Sequence, residues 1–114
     1  MQRTIHGQQV VGLEVDAQTR CDHWHSELDI IALKFKCCNT WYPCFDCHQA
    51  LADHPPQVWP LAEREEKAVL CGACGELLSI TDYLNCQSVC PNCRSQFNPG
   101  CALHYHLYFE PSPR

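Results

Sequence analysis

A chain of 114 residues with 11 cysteines, 7 histidines and a formal net charge of −5 has room for one domain and not comfortably for two. Its 46% hydrophobic content counts the cysteines as apolar; without them the core supply is thin, and a domain so placed leans on disulfides or metals. The acidic balance argues against nucleic acid, and no apolar run approaches the roughly 18 residues that span a membrane.

A disulfide scaffold is the first rival to a metal-built domain. The odd cysteine total would leave one thiol over. The C-x-x-C pairs and the adjacent Cys37-Cys38 also suit metal knuckles better than disulfide geometry. The first twenty residues have no apolar core of a secretory signal, and Glu14 and Asp16 spoil an acid-poor targeting helix. The chain is therefore expected to bind metal.

Residues 1–20 read as an N-terminal extension, with a weakly alternating strand around Val10–Val15 interrupted by Gly12. His6 and Gly7 read as polar surface. Cys21-Asp22-His23 then sets two ligand types one residue apart; in an extended chain both point to one side and can reach one ion. His25 continues that alternation and reads as a surface histidine, with a spare ligand as the alternative. Asp29–Phe35 is the clearest strand, with Ile31, Leu33 and Phe35 on one face and Ile30, Ala32 and Lys34 on the other. It leads to Cys37-Cys38 and a turn at Asn39-Thr40.

Cys44-x-x-Cys47-His48 is a knuckle followed at once by another ligand type. Neighbouring side chains seldom chelate one ion, so Cys47 and His48 are expected to serve different metals. A short helix from about Phe45 to Ala52 brings the chain to His54, and Pro55-Pro56 ends it. Five cysteines and three histidines from Cys21 to His54 thus supply two four-ligand sites. The residues alone leave their division between the two ions open. Residues 55–62 read as a proline-stiffened linker, and Glu63 to Leu70 as a brief helix with Glu63 and Lys67 at i, i+4.

Cys71-x-x-Cys74, fifteen intervening residues and Cys90-x-x-Cys93 fit a four-cysteine zinc site on spacing alone. Gly72 and Gly75 supply tight backbone, and Ser79 reads as the N-cap of a helix carrying Tyr83 and Leu84. Cys86 is surplus, either an apolar filler or a reactive thiol. Residues 103–109 alternate as a closing half-buried strand. Cys101, His104 and His106, with His25, form a candidate additional metal group, the rival being surface histidines.

The series C-x-H-W at 21–24, then K-C-C-x-x-x-Y-x-C-x-x-C-H at 36–48, resembles the CHY-type zinc finger family, with Trp24 where the family has tyrosine. Trp24 is not a ligand type, so the substitution spares the site. The resemblance covers residues 21–109, with 21–54 as a two-zinc half, 71–93 as a four-cysteine half and 110–114 as a tail. It implies three zinc ions: one on Cys21, His23, Cys44 and Cys47, a second on Cys37, Cys38, His48 and His54, and a third on Cys71, Cys74, Cys90 and Cys93. The implied fold is a small zinc-stabilised α+β domain of short strands or hairpins and brief helices around three tetrahedral sites.

Family members often precede a RING finger in ubiquitin ligases, but no RING-type ligand series is found here. The motifs A-L-K-F-K-C-C, C-F-D-C-H-Q and C-P-N-C-R-S-Q-F-N-P-G-C-A-L-H-Y-H-L-Y-F resemble stand-alone fungal members of the mitochondrial intermembrane space, and single-domain bacterial members are similar. The resemblance implies a non-enzymatic monomer that assists assembly of small Tim proteins by exchanging zinc with, or docking, a thiol oxidoreductase or its substrates. Its location would be intracellular, in the intermembrane space if fungal and the cytoplasm if bacterial. The rival is a structural interaction module whose docking surface is Trp41/Trp59 or the 103–109 strand. Zinc hydrolysis is disfavoured, because four-ligand sets leave no open position and H-E-x-x-H is absent.

Overall fold

The computed structural model describes residues 2–98, 105 and 107–110. Strands β1 (Gln2–Ile5) and β2 (Gln8–Val11) form a hairpin closed by His6 and Gly7. Both turn residues have positive φ, 50° and 84°, as a type I′ turn requires. β3 (Ile31–Phe35) runs antiparallel to β4 (Thr40–Tyr42) through the turn that holds Cys37 and Cys38, where Asn39 takes φ 52°. Helix α1 (Phe45–Leu51) follows. A single 3₁₀ turn at Leu61–Glu63 leads to β5 (Lys67–Cys71), β6 (Leu77–Ser79) and α2 (Ile80–Asn85).

The six strands form one sheet in the order β1-β2-β4-β3-β5-β6. Neighbours are antiparallel except β2 and β4, which run parallel and pair Val10 with Trp41. The period of two along the strands sorts the core onto two faces. Ile31, Leu33 and Phe35 of β3 join Val69 and Cys71 of β5 in the larger cluster, which also holds the metal-ligand types Cys21, Cys44, Cys47 and Cys90. Ala32 and Leu70 point the other way and pack with Ile5, Val10 and Trp41.

The helix expected over 63–70 is instead the 3₁₀ turn and β5. Ala68, Val69, Leu70 and Cys71 are all 0% exposed. An apolar run buried on both faces suits an interior strand, whereas an isolated eight-residue helix is marginal. Glu63 bonds Lys36 Nζ at 2.8 Å rather than pairing with Lys67. The strand expected over Val10–Val15 sits earlier, ending at Val11; Gly12, just past its end, has no room for a Cβ beside Pro43 and Val15.

The alternating strand expected over 103–109 is not seen at its described residues. The N–H groups of Tyr108 and Phe109 both donate to the Tyr105 carbonyl, at 3.0 and 2.9 Å, and Phe109 makes a single parallel bridge to Trp59. The i, i+3, i+4 spacing of these three rings lets them pack inward against Tyr83 and Phe35, which a period of two would not. Trp41 and Trp59 are buried at 6% and 4% exposure and present no docking surface. The Trp59 indole donates to the Lys34 carbonyl at 2.7 Å.

Candidate metal centres

Three groups of four side chains converge, with the ligand atoms of each group within 4.8 Å of one another. In the first, Cys21 and His23 come from the loop before β3, and Cys44 and Cys47 from the start of α1. Cys44 is the N-cap of that helix, and its Sγ accepts the Cys47 N–H at 3.4 Å. A ligand-type thiol thereby takes the place of the usual capping oxygen. Its Sγ lies 3.6 Å from Cys21 Sγ and 3.5 Å from His23 Nδ1, which is 3.4 Å from Cys47 Sγ. A tetrahedron with about 2.3 Å to sulfur and about 2.0 Å to nitrogen has edges of about 3.8 and 3.5 Å. The group already has those dimensions.

Cys37, Cys38, His48 and His54 make the second group. Cys37 Sγ sits 3.8 Å from Cys38 Sγ and 3.3 Å from His48 Nε2. His48 follows Cys47 on α1, so the helix sends adjacent residues to different groups. The His48 ring is buried, stacked on Phe35 at 4.3 Å and set edge-on to Tyr42 at 4.9 Å. Burial, then the neighbouring His54, holds its pKa below the usual imidazole range, so it stays in the neutral form a ligand needs. His54 donates Nδ1–H to Asp53 Oδ1 at 2.9 Å. That bond leaves Nε2 as the acceptor nitrogen, and Nε2 is buried without a hydrogen-bond partner. A buried imidazole nitrogen with no hydrogen-bond partner, beside two thiols, fits a metal ligand.

The third group joins Cys71 and Cys74 to Cys90 and Cys93, with Cys71–Cys93 and Cys74–Cys90 sulfur separations both 3.8 Å. Its two knuckles share one backbone plan. The carbonyl of the first cysteine accepts from the residue four on, Gly75 at 2.8 Å and Arg94 at 2.9 Å. Its N–H donates five residues on, to Glu76 and Ser95. Gly75 and Arg94 both have positive φ, 84° and 68°. The match continues outward, since Leu70 pairs with Leu77 and Val89 with Gln96. Gly72 is needed for a different reason: its Cα abuts the Gln18 and Ile30 carbonyls, leaving no space for a side chain.

Each group contains one thiol whose pKa is drawn down. Cys21 falls to about 2 because the Cys44 and then the Cys47 thiols donate to it, while bonding to Cys21 pushes Cys47 up to about 11. Cys93 falls to about 6, chiefly through its bond with Ser95, and burial raises Cys71 and Cys90. Burial opposes ionisation of Cys38, but a bond from Thr40 and the adjacent His54 and Cys37 outweigh it; burial raises Cys37. In each cluster one thiol is thus drawn toward the ionised form that a metal ligand takes, and a bound cation would displace the protons of the others.

The described cysteines are free thiols, so the disulfide alternative finds no support among them. Cys86 joins no group; its S–H donates to the Tyr83 carbonyl at 3.1 Å. His25 is exposed. Cys101, His104 and His106 lie outside the described residues. His6 is exposed and joins no group, as expected of a surface residue, but sequence reasoning missed its contact: the β1–β2 turn carries its Nε2 to 3.0 Å from the Gly72 carbonyl, inside the third group's knuckle. The only sequence signal was the turn-forming His6-Gly7 pair itself.

Closed sets of thiol and imidazole donors on a small, curled sheet define a zinc-binding α+β domain, with zinc as the cofactor and three sites. The chain belongs to the CHY zinc finger family, whose model matches residues 21–100. It is 48% identical over 107 residues to Helper of Tim protein 13 of Saccharomyces cerevisiae, covering 91% of this chain and 92% of that protein. The Kluyveromyces lactis protein of the same name is 48% identical over 101 residues, 89% of this chain and 88% of its own. An uncharacterised Schizosaccharomyces pombe protein is 41% identical across the same shares.

Proposed function

We propose that this chain is a non-enzymatic zinc protein that assists thiol- and disulfide-dependent assembly of proteins in the mitochondrial intermembrane space, by exchanging zinc with a thiol oxidoreductase or its substrates. The observation that carries this reading is the closure of all three groups. Each offers four soft donors and no carboxylate poised as a base, which suits holding and passing an ion rather than activating water. The two relatives named for helping Tim support the choice of setting.

The ligands in this reading are Cys21, His23, Cys44 and Cys47; Cys37, Cys38, His48 and His54; and Cys71, Cys74, Cys90 and Cys93. Zinc masks a thiolate, and its removal restores the nucleophilicity on which disulfide exchange depends. The chain's part is to present empty thiol sets, in each of which one thiol is drawn toward ionisation, to a partner carrying excess metal. The domain acts as a monomer in which residues 1–20 extend the 21–109 unit and add strands β1 and β2 to its sheet, with 110–114 as a tail.

The test mixes the metal-free protein with a zinc-loaded dithiol oxidoreductase. Zinc should move to this chain, and the oxidoreductase should then oxidise faster. No transfer and no change in that rate would overturn the reading.

A further inference from the structure

The three groups differ in how a competing ligand can reach them. In the first, all three thiols are buried, with Cys21 at 1% and Cys47 at 0% exposure, and only His23 is exposed. In the third, Cys71 and Cys90 are both 0% exposed. In the second, His48 alone is buried, and Cys37, Cys38 and His54 are all partly open to solvent. The second group also has the fewest thiols, two against three and four. Thiolates carry the charge that holds a divalent cation, so the second group has the weakest electrostatic hold.

Its fourth member is also the least anchored. Cys44, Cys47 and His48 sit on α1, and the four-cysteine group sits in two hydrogen-bonded knuckles. His54 comes two residues after the helix C-cap, Ala52, outside any helix or strand. Pro55 and Pro56 follow it and have no N–H with which to tie the segment down. The hydrogen bond that orients its ring runs to Asp53, whose side chain is 100% exposed. Loss of His23 would leave three buried thiolates around an ion. Loss of His54 would leave two accessible ones and His48.

We propose that Cys37, Cys38, His48 and His54 form the exchange port of this protein, the group that gives up and takes in zinc while the other two retain theirs. His54 is the ligand that yields, and Asp53 is the positioning residue that holds its Nε2 toward the thiols. The exchanging partner is a set of thiolates, whose sulfurs would take over the coordination positions in turn as the bonds to His54, then Cys37 and Cys38, and finally His48 break. No electron is transferred, and the released thiolates take up protons from solvent. This deepens the zinc-exchange reading and rests on it for its purpose, though not for its test.

The test needs no protein partner. The full-length, zinc-loaded chain is exposed to limiting EDTA, quenched with N-ethylmaleimide at intervals, and followed by native mass spectrometry and peptide mapping. A two-zinc species should appear first, alkylated at Cys37 and Cys38, with the cysteines of the other groups protected. Asp53→Asn should speed loss of the first ion about tenfold without altering the circular dichroism of the two-zinc form. The exposure of Asp53 makes that variant safe for folding, and His54→Ala should be isolated with two ions from the outset. First labelling in either of the other groups, simultaneous loss of all three ions, or an Asp53→Asn variant that releases zinc at the wild-type rate would overturn the proposal. If the port behaves as described but no ion reaches an oxidoreductase, only the functional reading fails.

Discussion

Replacing Phe35 by alanine tests whether core and metal sites are one structure. Phe35 is 2% exposed, stacks on His48 at 4.3 Å with the rings 16° apart, and meets Tyr42 and Tyr108 edge-on at 5.4 and 5.6 Å. Emptying such a site costs about 3–5 kcal/mol, and each lost ring pair adds about 0.5–1.5 kcal/mol where neighbours cannot close in. A small domain has only about 5–15 kcal/mol in all, so the variant should lose a large share of its stability. Urea unfolding at buffered free zinc measures this, because metal bound to the native state alone shifts the apparent value. The buried Trp41 and Trp59 report it by fluorescence. His48 also loses the ring that fixes its plane, so the folded variant should hold two ions instead of three by native mass spectrometry. A stability loss below about 1 kcal/mol, the range of surface substitutions, together with three retained ions, would refute the coupling of core to site.

Gly75→Ala should destabilise the four-cysteine knuckle by more than the roughly 1 kcal/mol of left-handed backbone alone, since its Cβ would sit 2.7 Å from His6 Cβ. His6→Gly in the same chain should restore the steric part and leave the backbone part, read as two steps in thermal melting. Cys90→Ser should lose one zinc, whereas Cys86→Ser, whose hydroxyl can keep the bond to the Tyr83 carbonyl, should lose none. Acid should weaken the metal-free fold through His48. Its pKa is lowered in the folded chain, so the unfolded chain binds the proton first and stability falls as pH drops through about 6.5. Denaturation at pH 7.5 and 5.5, with and without His48→Gln, reads that difference.

The twelve side chains that converge in three groups were legible because chelating spacings are short and rigid and survive in one dimension: C-x-H, C-x-x-C and the adjacent Cys47-His48. Helix α1 and the Ser79 cap were legible for the same reason, since caps and proline stops act within one turn; Ser79 Oγ accepts the Asp82 N–H at 3.0 Å. β5 was misread because Glu63 and Lys67 made a plausible helical pair, while the deciding fact, burial between β3 and β6, comes from elsewhere in the chain. β6 is three residues long, too short for a period to show. The knuckle at Cys90 was legible from its C-x-x-C spacing, but not how closely its backbone repeats the one at Cys71, because Arg94 takes the left-handed conformation that glycine advertises at 75. The role of His6 depends on a partner 66 residues away.

β3 lies between β4 and β5, pairing Leu33 with both Tyr42 and Val69. The stretch that supplies two of the metal groups and the stretch that supplies the third are therefore stitched along one strand. Clipping the proline-rich connection at 55–62 would not release two independent miniature fingers. Each fragment would keep half a ladder and a raw, apolar flank, the kind of edge that drives chains to clump. Any attempt to dissect this protein into a minimal metal carrier has to keep that seam whole.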